Sequence, residues 1–285
     1  MIEKDRQFTH TWEEAINLLR ATPEYQDLIY QAYLTSDLVE NARRFAGSQE
    51  FSEVLKLIKT NRPNARAVLD CPGGNGIATY AFASNGFDVT TVEPDSSASV
   101  GRGAITHVLS ETGSTAKIVE AFGENLPFTD NSFDIVYVRQ GLHHAHNLDE
   151  MVCEYARVLR PGGLLLACRE HVVDNYENSL QDFLSKQIDH QYYGGENAFM
   201  LVDYRNAIFK SGLQLKQEIE PYDSPINLHP NTPELLRKKI EESPQGILLM
   251  KFLPRMWVHR LGLWRLRRAK LAGRLYSFVA HKPVK

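Results

Sequence analysis

Cysteine is scarce in this chain: Cys71, Cys153 and Cys168 are the only three in 285 residues. They show neither a C-x-x-C pair nor a secreted disulfide framework, so reduced thiols and a cytoplasmic location are expected. Long apolar runs are missing too. No stretch reaches the roughly 18 apolar residues of a spanning helix, and the opening residues Met1 to Arg6 are charged where a signal peptide would need an apolar core. Secretion and membrane spanning are therefore not expected. Acidic residues are absent from Gly246 to Lys285, a stretch holding ten Lys or Arg. The remainder carries 22 basic against 35 acidic residues, a net charge of −13. Such asymmetry marks a face for anionic lipid, nucleic acid or an acidic partner, or simply balances the acidic body.

What is present suits one large core with a smaller appendage, since 43% of the residues are hydrophobic. Trp12, Ile16 and Leu19, then Leu28 to Phe45, then Phe51, Leu55 and Ile58 recur at helical spacing, which predicts an N-terminal helical lid over residues 1–60. From Arg66 short β-type runs alternate with helical ones. Strands are expected at 67–71, 88–93, 116–121, 133–139, 163–170, 214–220 and 275–281, with helices at 77–84, 96–109, 148–159 and 202–210. The fold class is thus α/β: residues 61–285 form one doubly wound, mostly parallel seven-stranded sheet. Residues 171–199 and 222–273 break the alternation and read as insertions after strands five and six. Arg160-Pro161-Gly162-Gly163 ends the preceding helix, because proline cannot continue it and glycine accepts the turn.

The first strand runs into Asp70-Cys71-Pro72-Gly73-Gly74-Asn75-Gly76, a glycine-rich turn that opens a helix. Such a turn lets the main chain approach a ligand and aims helix N-terminal N–H groups at it. A dinucleotide would need G-x-G-x-x-G/A, and the register Gly74, Gly76, Thr79 lacks the third glycine. Glu93, followed by Pro94, ends the second strand 17 residues beyond Gly76, where a carboxylate can accept both ribose hydroxyls. A surface glutamate before a proline turn is the plainer alternative.

In these residues the chain resembles the class I S-adenosylmethionine-dependent methyltransferases, whose first motif is an acidic residue followed by G-x-G-x-G; Asp70, Gly74 and Gly76 match, and Pro72 replaces the first glycine. The resemblance continues through Ala121-Phe122-Gly123-Glu124-Asn125-Leu126-Pro127-Phe128, Asn131 to Asp134, Gly141-Leu142-His143-His144 and Glu154 to Gly163, closest to the branch of ubiquinone and menaquinone C-methyltransferases. It implies a Rossmann-like fold, S-adenosylmethionine as cofactor, and a cofactor site formed by Asp70, Cys71, Pro72, Gly73, Gly74, Gly76, Glu93, Pro94, Phe122, Gly123, Glu124, Arg139 and Gln140. Phe122 stands where many relatives carry an aspartate that accepts from the adenine amino group. Asp134 reads as a strand-entry hydrogen-bonding residue, and Glu154 with Arg157 as a helix-surface pair.

Methyl transfer is an in-line displacement in which positioning and exclusion of water do most of the work. A hydroxyl acceptor must also lose a proton, so a base is expected after strands four and five. His144 and His171 are the candidates, because imidazole titrates near neutrality; loop histidines that merely hydrogen-bond their surroundings are the commoner case. His143 and Glu170, with His190, Tyr192 and Glu196 of the polar segment His190 to Asn197, are expected to line the acceptor. A cation held by His143, His144, Glu170 and His171 is the alternative, but magnesium prefers oxygen ligands and no metal is expected. The expected activity is methylation of a small molecule, probed first as O-methylation of a hydroxylated acceptor such as a sugar. C- or N-methylation of a quinone-like or other small metabolite is the second reading, and a non-catalytic cofactor-binding module the third. An acidic body without a base-flipping signature argues against nucleic acid. In residues 248–271, Trp257, Leu261 and Trp264 share a helical face beside arginines, which suits either peripheral membrane contact or tryptophans packed on the domain with arginines in water.

Overall fold

The computed structural model describes Phe8, residues 10–269 and residues 271–284. Residues 1–7 and Thr9 of the expected lid, Lys270 of the basic segment, and Lys285 lie outside the described residues. The alternation seen in the sequence folds into one sheet built from β1 (Ala67–Asp70), β2 (Asp88–Val92), β3 (Lys117–Val119), β4 (Phe133–Arg139), β5 (Leu159–Val173), β6 (Phe199–Met200), β7 (Gln214–Ile219) and β8 (Arg274–His281). The order is β3-β2-β1-β4-β5-β8-β7, with β6 paired to β5 off that path. All pairs are parallel except those of β8, which runs antiparallel to β5 and β7. Chain direction across the sheet reverses between β1 and β4, so a crevice opens at their carboxyl ends. The central strands are buried on both faces, as the unbroken apolar run Ile135 to Val138 requires.

The sheet has eight strands where seven were expected. The extra one, β6, is two residues long and pairs with Val172 and Val173, too short for alternation to reveal. The fifth strand is also longer than its pattern suggested. At its start, the Arg160 to Gly163 turn is a kink inside the strand, with Gly162 at φ 72° and a register shift against β4. At its end, β5 continues past Glu170 because His171 and Val172 pair with Leu275 and Arg274. The basic insertion consequently follows the seventh strand.

The N-terminal helices divide into two groups. Helices α1 (Trp12–Ala21) and α2 (Gln26–Gln31) precede α3 (Leu38–Ala46) and α4 (Gln49–Asn61). Thr11 starts α1 with a reciprocal capping box to Glu14. Phe45, Phe51, Val54 and Ile58 of α3 and α4 share a core with Val68, Ile135 and Leu164 of the sheet. Ile16, Leu19 and Ile29 of α1 and α2 instead form a small cluster with Ile188 and Tyr192 of the first insertion. Half of the expected lid is therefore part of the sheet's core, and half packs on the first insertion.

The connecting helices are α5 (Ile77–Ser84), α6 (Arg102–Thr112), α7 (Leu148–Val158), α8 (Asn178–Lys186), α9 (His190–Tyr193) and α10 (Leu201–Lys210). Helix α6 starts later than the sequence suggested because the chain first folds back: Arg102 N–H donates to the Asp95 carbonyl at 2.8 Å, and Gly103 N–H to that of Ser97 at 3.0 Å. The second insertion holds α11 (Pro225–Leu228), α12 (Pro233–Glu242), α13 (Pro244–Met250) and α14 (Arg255–Arg268). Helices α11 to α13 each begin with proline behind a capping Ser224, Thr232 or Ser243. Arg169 of β5 anchors this insertion, donating to the Ile226 and His229 carbonyls at 2.8 and 3.0 Å. Among the described residues no helix is long and apolar enough to cross a membrane.

Candidate active site

At the end of β1 the chain turns through Gly74 (φ 52°) and Gly76 (φ 86°), backbone positions that an L side chain rarely adopts. No atom lies within 4 Å of where a Cβ on Gly74 would stand, so the backbone there faces open space. Glu93 sits just beyond β2 and accepts from Gly74 N–H at 2.7 Å and Asp95 N–H at 2.9 Å. Burial lifts its carboxyl to about 7 against those two donors. Asp70 accepts from the Thr79 hydroxyl at 2.7 Å, its other carboxylate oxygen is buried without a partner, and burial raises it to about 7. An unsatisfied carboxylate oxygen on Asp70, with lone pairs left on Glu93, beside an open glycine-lined backbone fits a ligand rich in hydroxyl and ammonium groups. Asn75 ties this loop to the collar by donating to the Tyr33 carbonyl at 2.7 Å.

The flanking residues have differing roles. Pro94 presents its carbonyl to Arg102 at 2.9 Å. Cys71 is buried, with the Tyr155 hydroxyl donating to its carbonyl at 3.2 Å. Phe122 is 57% exposed at the rim, next to His146, while the Glu124 carboxylate accepts from His146 N–H at 2.9 Å. Arg139 departs from its expected place. Its guanidinium makes a two-pronged contact with Glu50 of α4, at 2.7 and 3.1 Å, and Gln140 accepts from it at 3.0 Å. Burial would raise Glu50, but Arg139 and Arg169 outweigh it and hold the carboxyl below its usual value. Arg139 therefore clamps collar to sheet rather than facing the crevice. Glu50 escaped sequence reasoning; a carboxylate beside Phe51 on the buried face of α4 was its only signal.

A second cluster lies after β4 and at the end of β5. The Glu170 carboxylate is fully buried and accepts from the backbone N–H of Gly141 and His143, each at 3.1 Å. His143 Nδ1 lies 2.7 Å from Glu170 Oε2, which makes Nδ1 the protonated nitrogen and leaves Nε2 with a lone pair. Burial holds His143 well below the usual histidine range, and neighbouring His144 adds to this. Beyond Nε2, at 3.8 Å, stands Glu196 of the first insertion. His144 mirrors the arrangement: its Nδ1 is 3.0 Å from the Gly195 carbonyl and its Nε2 is 3.8 Å from the other Glu196 oxygen. Burial pushes Glu196 up to about 7, although the Tyr193 hydroxyl donates to it.

Three expected acceptor or base residues are placed otherwise. His171 lies within β5 rather than in a loop after it; Nδ1 is 3.0 Å from the Gly273 carbonyl, and the ring stands edge-on to His143. Burial drops it to about 3, so it walls the site as a neutral ring. His190 packs edge-on against Phe8. Tyr192 packs among Ile16, Leu19 and Ile188, and its neighbour Tyr193, which the sequence did not single out, reaches Glu196 and lies against Trp12. His143, His144 and Glu196 offer ligand atoms all within 4.8 Å of one another. The set differs from the one weighed on sequence, because Glu170 is already bonded behind His143. A cavity of about 530 Å³ lined by Asn131, Cys153 and Lys282 lies at the opposite end of the strands, away from the crevice.

Comparison with known proteins decides the family. A methyltransferase-domain model matches residues 69–167. Over 191 residues the chain is 30% identical to the ubiquinone/menaquinone biosynthesis C-methyltransferase of Hahella chejuensis, covering 65% of this chain and 68% of that one. The chain belongs to the class I S-adenosylmethionine-dependent methyltransferases. The corresponding enzyme of Ectopseudomonas mendocina is 38% identical over 109 residues, 37% of this methyltransferase and 41% of that one. Geranyl diphosphate methyltransferase, solved in complex with S-adenosylmethionine, superposes with a TM-score of 0.57 at 15% identity, covering 93% and 94% of the two chains, and so shares the fold. The enzyme is a transferase whose cofactor is S-adenosylmethionine.

Proposed function

We propose that this enzyme methylates a small hydroxylated acceptor, with His143 as general base and Glu170 as the residue that positions it. The observation that carries this reading is the 2.7 Å contact between His143 Nδ1 and Glu170 Oε2, which directs the Nε2 lone pair toward Glu196 and His144. In the same reading Asp70, Gly74, Gly76 and Glu93 hold the cofactor's amino-acid and ribose groups, with Phe122, Gly123 and Glu124 beside its base. S-adenosylmethionine supplies an electrophilic methyl group on sulfur. The acceptor hydroxyl would give its proton to His143 Nε2 as its oxygen takes the methyl group, the sulfur–methyl bond breaking with S-adenosylhomocysteine as the neutral leaving group, and the buried Glu170 carboxylate would stabilise the resulting imidazolium. His144 and Glu196 orient the hydroxyl, and Tyr193, Gly195 and the collar exclude water.

The relatives that act in quinone biosynthesis favour a second reading, in which the methyl group goes to carbon. Proton removal from a ring hydroxyl serves both outcomes, since a phenolate is nucleophilic at oxygen and at the neighbouring ring carbon. The test offers quinols, catechols, sugars and hydroxyl-free amines with a trideuteromethyl-labelled cofactor and locates the label by nuclear magnetic resonance. Label on oxygen supports O-methylation, and label on ring carbon the second reading. Turnover confined to acceptors without a hydroxyl overturns both.

A further inference from the structure

We infer that the α13–α14 hairpin is a docking surface for an anionic lipid bilayer. The two placements open to Trp257 and Trp264 on sequence are resolved by the packing of α14. Its inner side is Val258, Leu263 and Leu266, which join Leu236 and Ile240 of α12 in a small core. Gly262 lets the helices touch, because a Cβ there would run into Ile240. At 100° per residue the opposite side carries Trp257, Leu261 and Trp264, and both tryptophans are about half exposed, at 49% and 51%. Around the turn between the helices Ile247, Leu248, Phe252 and Met256 are exposed as well, Phe252 at 78%.

The charges alternate with these apolar groups. Arg260 stands 5.3 Å from the Trp257 ring centre and Arg268 4.2 Å from that of Trp264. Arg255 and Arg267 reach Glu241 and Asp223, whereas Lys251, Arg260, Arg265 and Arg268 have no carboxylate partner among the described residues. No acidic residue follows Gly246 in the sequence to oppose them. A nucleic acid would satisfy the arginines and leave Ile247, Leu248 and Phe252 in water. An anionic interface satisfies both: lipid phosphates take the guanidinium groups, tryptophans sit at headgroup depth, and the aliphatic side chains enter the acyl boundary. This inference stands independently of the acceptor and of the base.

The test uses the full chain and vesicles of phosphatidylglycerol mixed equally with phosphatidylcholine, against phosphatidylcholine alone. The protein should sediment with the anionic vesicles, release in about 0.5 M salt, and show a blue shift of tryptophan emission. The double variant Trp257→Ala/Trp264→Ala and the triple variant Arg260→Glu/Arg265→Glu/Arg268→Glu should each weaken that binding about tenfold or more. Unchanged S-adenosylhomocysteine affinity certifies their fold; should the tryptophan variant fail to fold, the charge variant decides, since its three side chains are on the surface. Absence of binding to anionic vesicles, binding that survives both sets of substitutions, tighter binding to a single-stranded RNA than to vesicles, or a dimer held together by these tryptophans would each overturn the inference.

Discussion

Glu170 grips His143 from behind, accepting at 2.7 Å from Nδ1 while also accepting from the backbone N–H of the same residue. Imidazole and loop are thus fixed by one buried carboxylate, 27 residues away in the chain. If that grip sets the base, His143→Ala should lower kcat by ~10²–10⁴-fold and leave S-adenosylhomocysteine affinity nearly intact. Glu170→Gln keeps an acceptor for Nδ1 but loses the charge facing the imidazolium, so its loss should be smaller and should move the acid limb of the rate profile. Wild-type turnover by His143→Ala on the true acceptor would remove the residue from the chemistry.

Cofactor binding should depend on pH through Glu93. Its carboxyl, raised to about 7, is protonated below neutrality and then cannot accept both ribose hydroxyls as an anion. Affinity is full above this value and falls as pH drops through it, by about tenfold between pH 8 and 6 if only the anion binds. Calorimetric titration of S-adenosylhomocysteine across that range tests this. Glu93→Gln should bind more weakly and with a flatter profile; a wild-type pH slope in that variant would assign the effect elsewhere, with Asp70 the next residue to examine.

How much of this was open to sequence reasoning follows from the physics of each signal. The turn at Gly74 and Gly76 and the place of Glu93 just past the end of β2 were legible because glycine at positive φ and a strand end are local demands. The sheet was legible through apolar periodicity, apart from the two-residue β6. What escaped were partners joined only by folding. Arg139 was read as a cofactor ligand because its buried carboxylate, Glu50, lies 89 residues earlier. His171 was read as a loop base because nothing local says that β8 prolongs the ladder past Glu170. Proposing His143 rather than His144 required knowing that Nδ1 of the first meets a buried carboxylate, Glu170, and that of the second only a backbone carbonyl.

The Arg139–Glu50 pair should behave as a buried structural clamp. Arg139→Met leaves the buried Glu50 carboxylate with Arg169 alone, 3.9 Å away and not hydrogen-bonded to it, and should destabilise the fold by ~3–5 kcal/mol, and Glu50→Met by a similar amount. The double variant should recover part of the loss, since it leaves Arg169 as the one buried charge without its carboxylate, its guanidinium still donating to the Ile226 and His229 carbonyls. Chemical denaturation of the three variants measures this. A single Arg139→Met variant as stable as wild type, but poor in cofactor affinity, would restore the residue to the cofactor site.

Zinc should inhibit. His143, His144 and Glu196 offer three donors within 4.8 Å, the imidazoles backed by a carboxylate and a carbonyl as zinc-bound histidines commonly are. A metal there would occupy the lone pair the base requires. Chelator treatment should leave turnover unchanged, added zinc should suppress it, and Glu196→Gln should raise the inhibitory concentration by about 10-fold or more. Activity lost to chelator and restored by zinc would contradict base catalysis by His143.

The hydrogen bond from Asn75 to the Tyr33 carbonyl makes the collar a thermodynamic reporter of the cofactor loop. The part of the loop's ordering that is coupled through this hydrogen bond adds, on cofactor binding, to the free energy needed to loosen the segment around Tyr33. Backbone amides from about Ile29 to Phe45 should then exchange with deuterium more slowly once cofactor is bound, although none of them need touch it. By the reciprocity of that coupling, an acceptor that orders the collar should tighten S-adenosylhomocysteine binding by the factor by which the cofactor tightens acceptor binding.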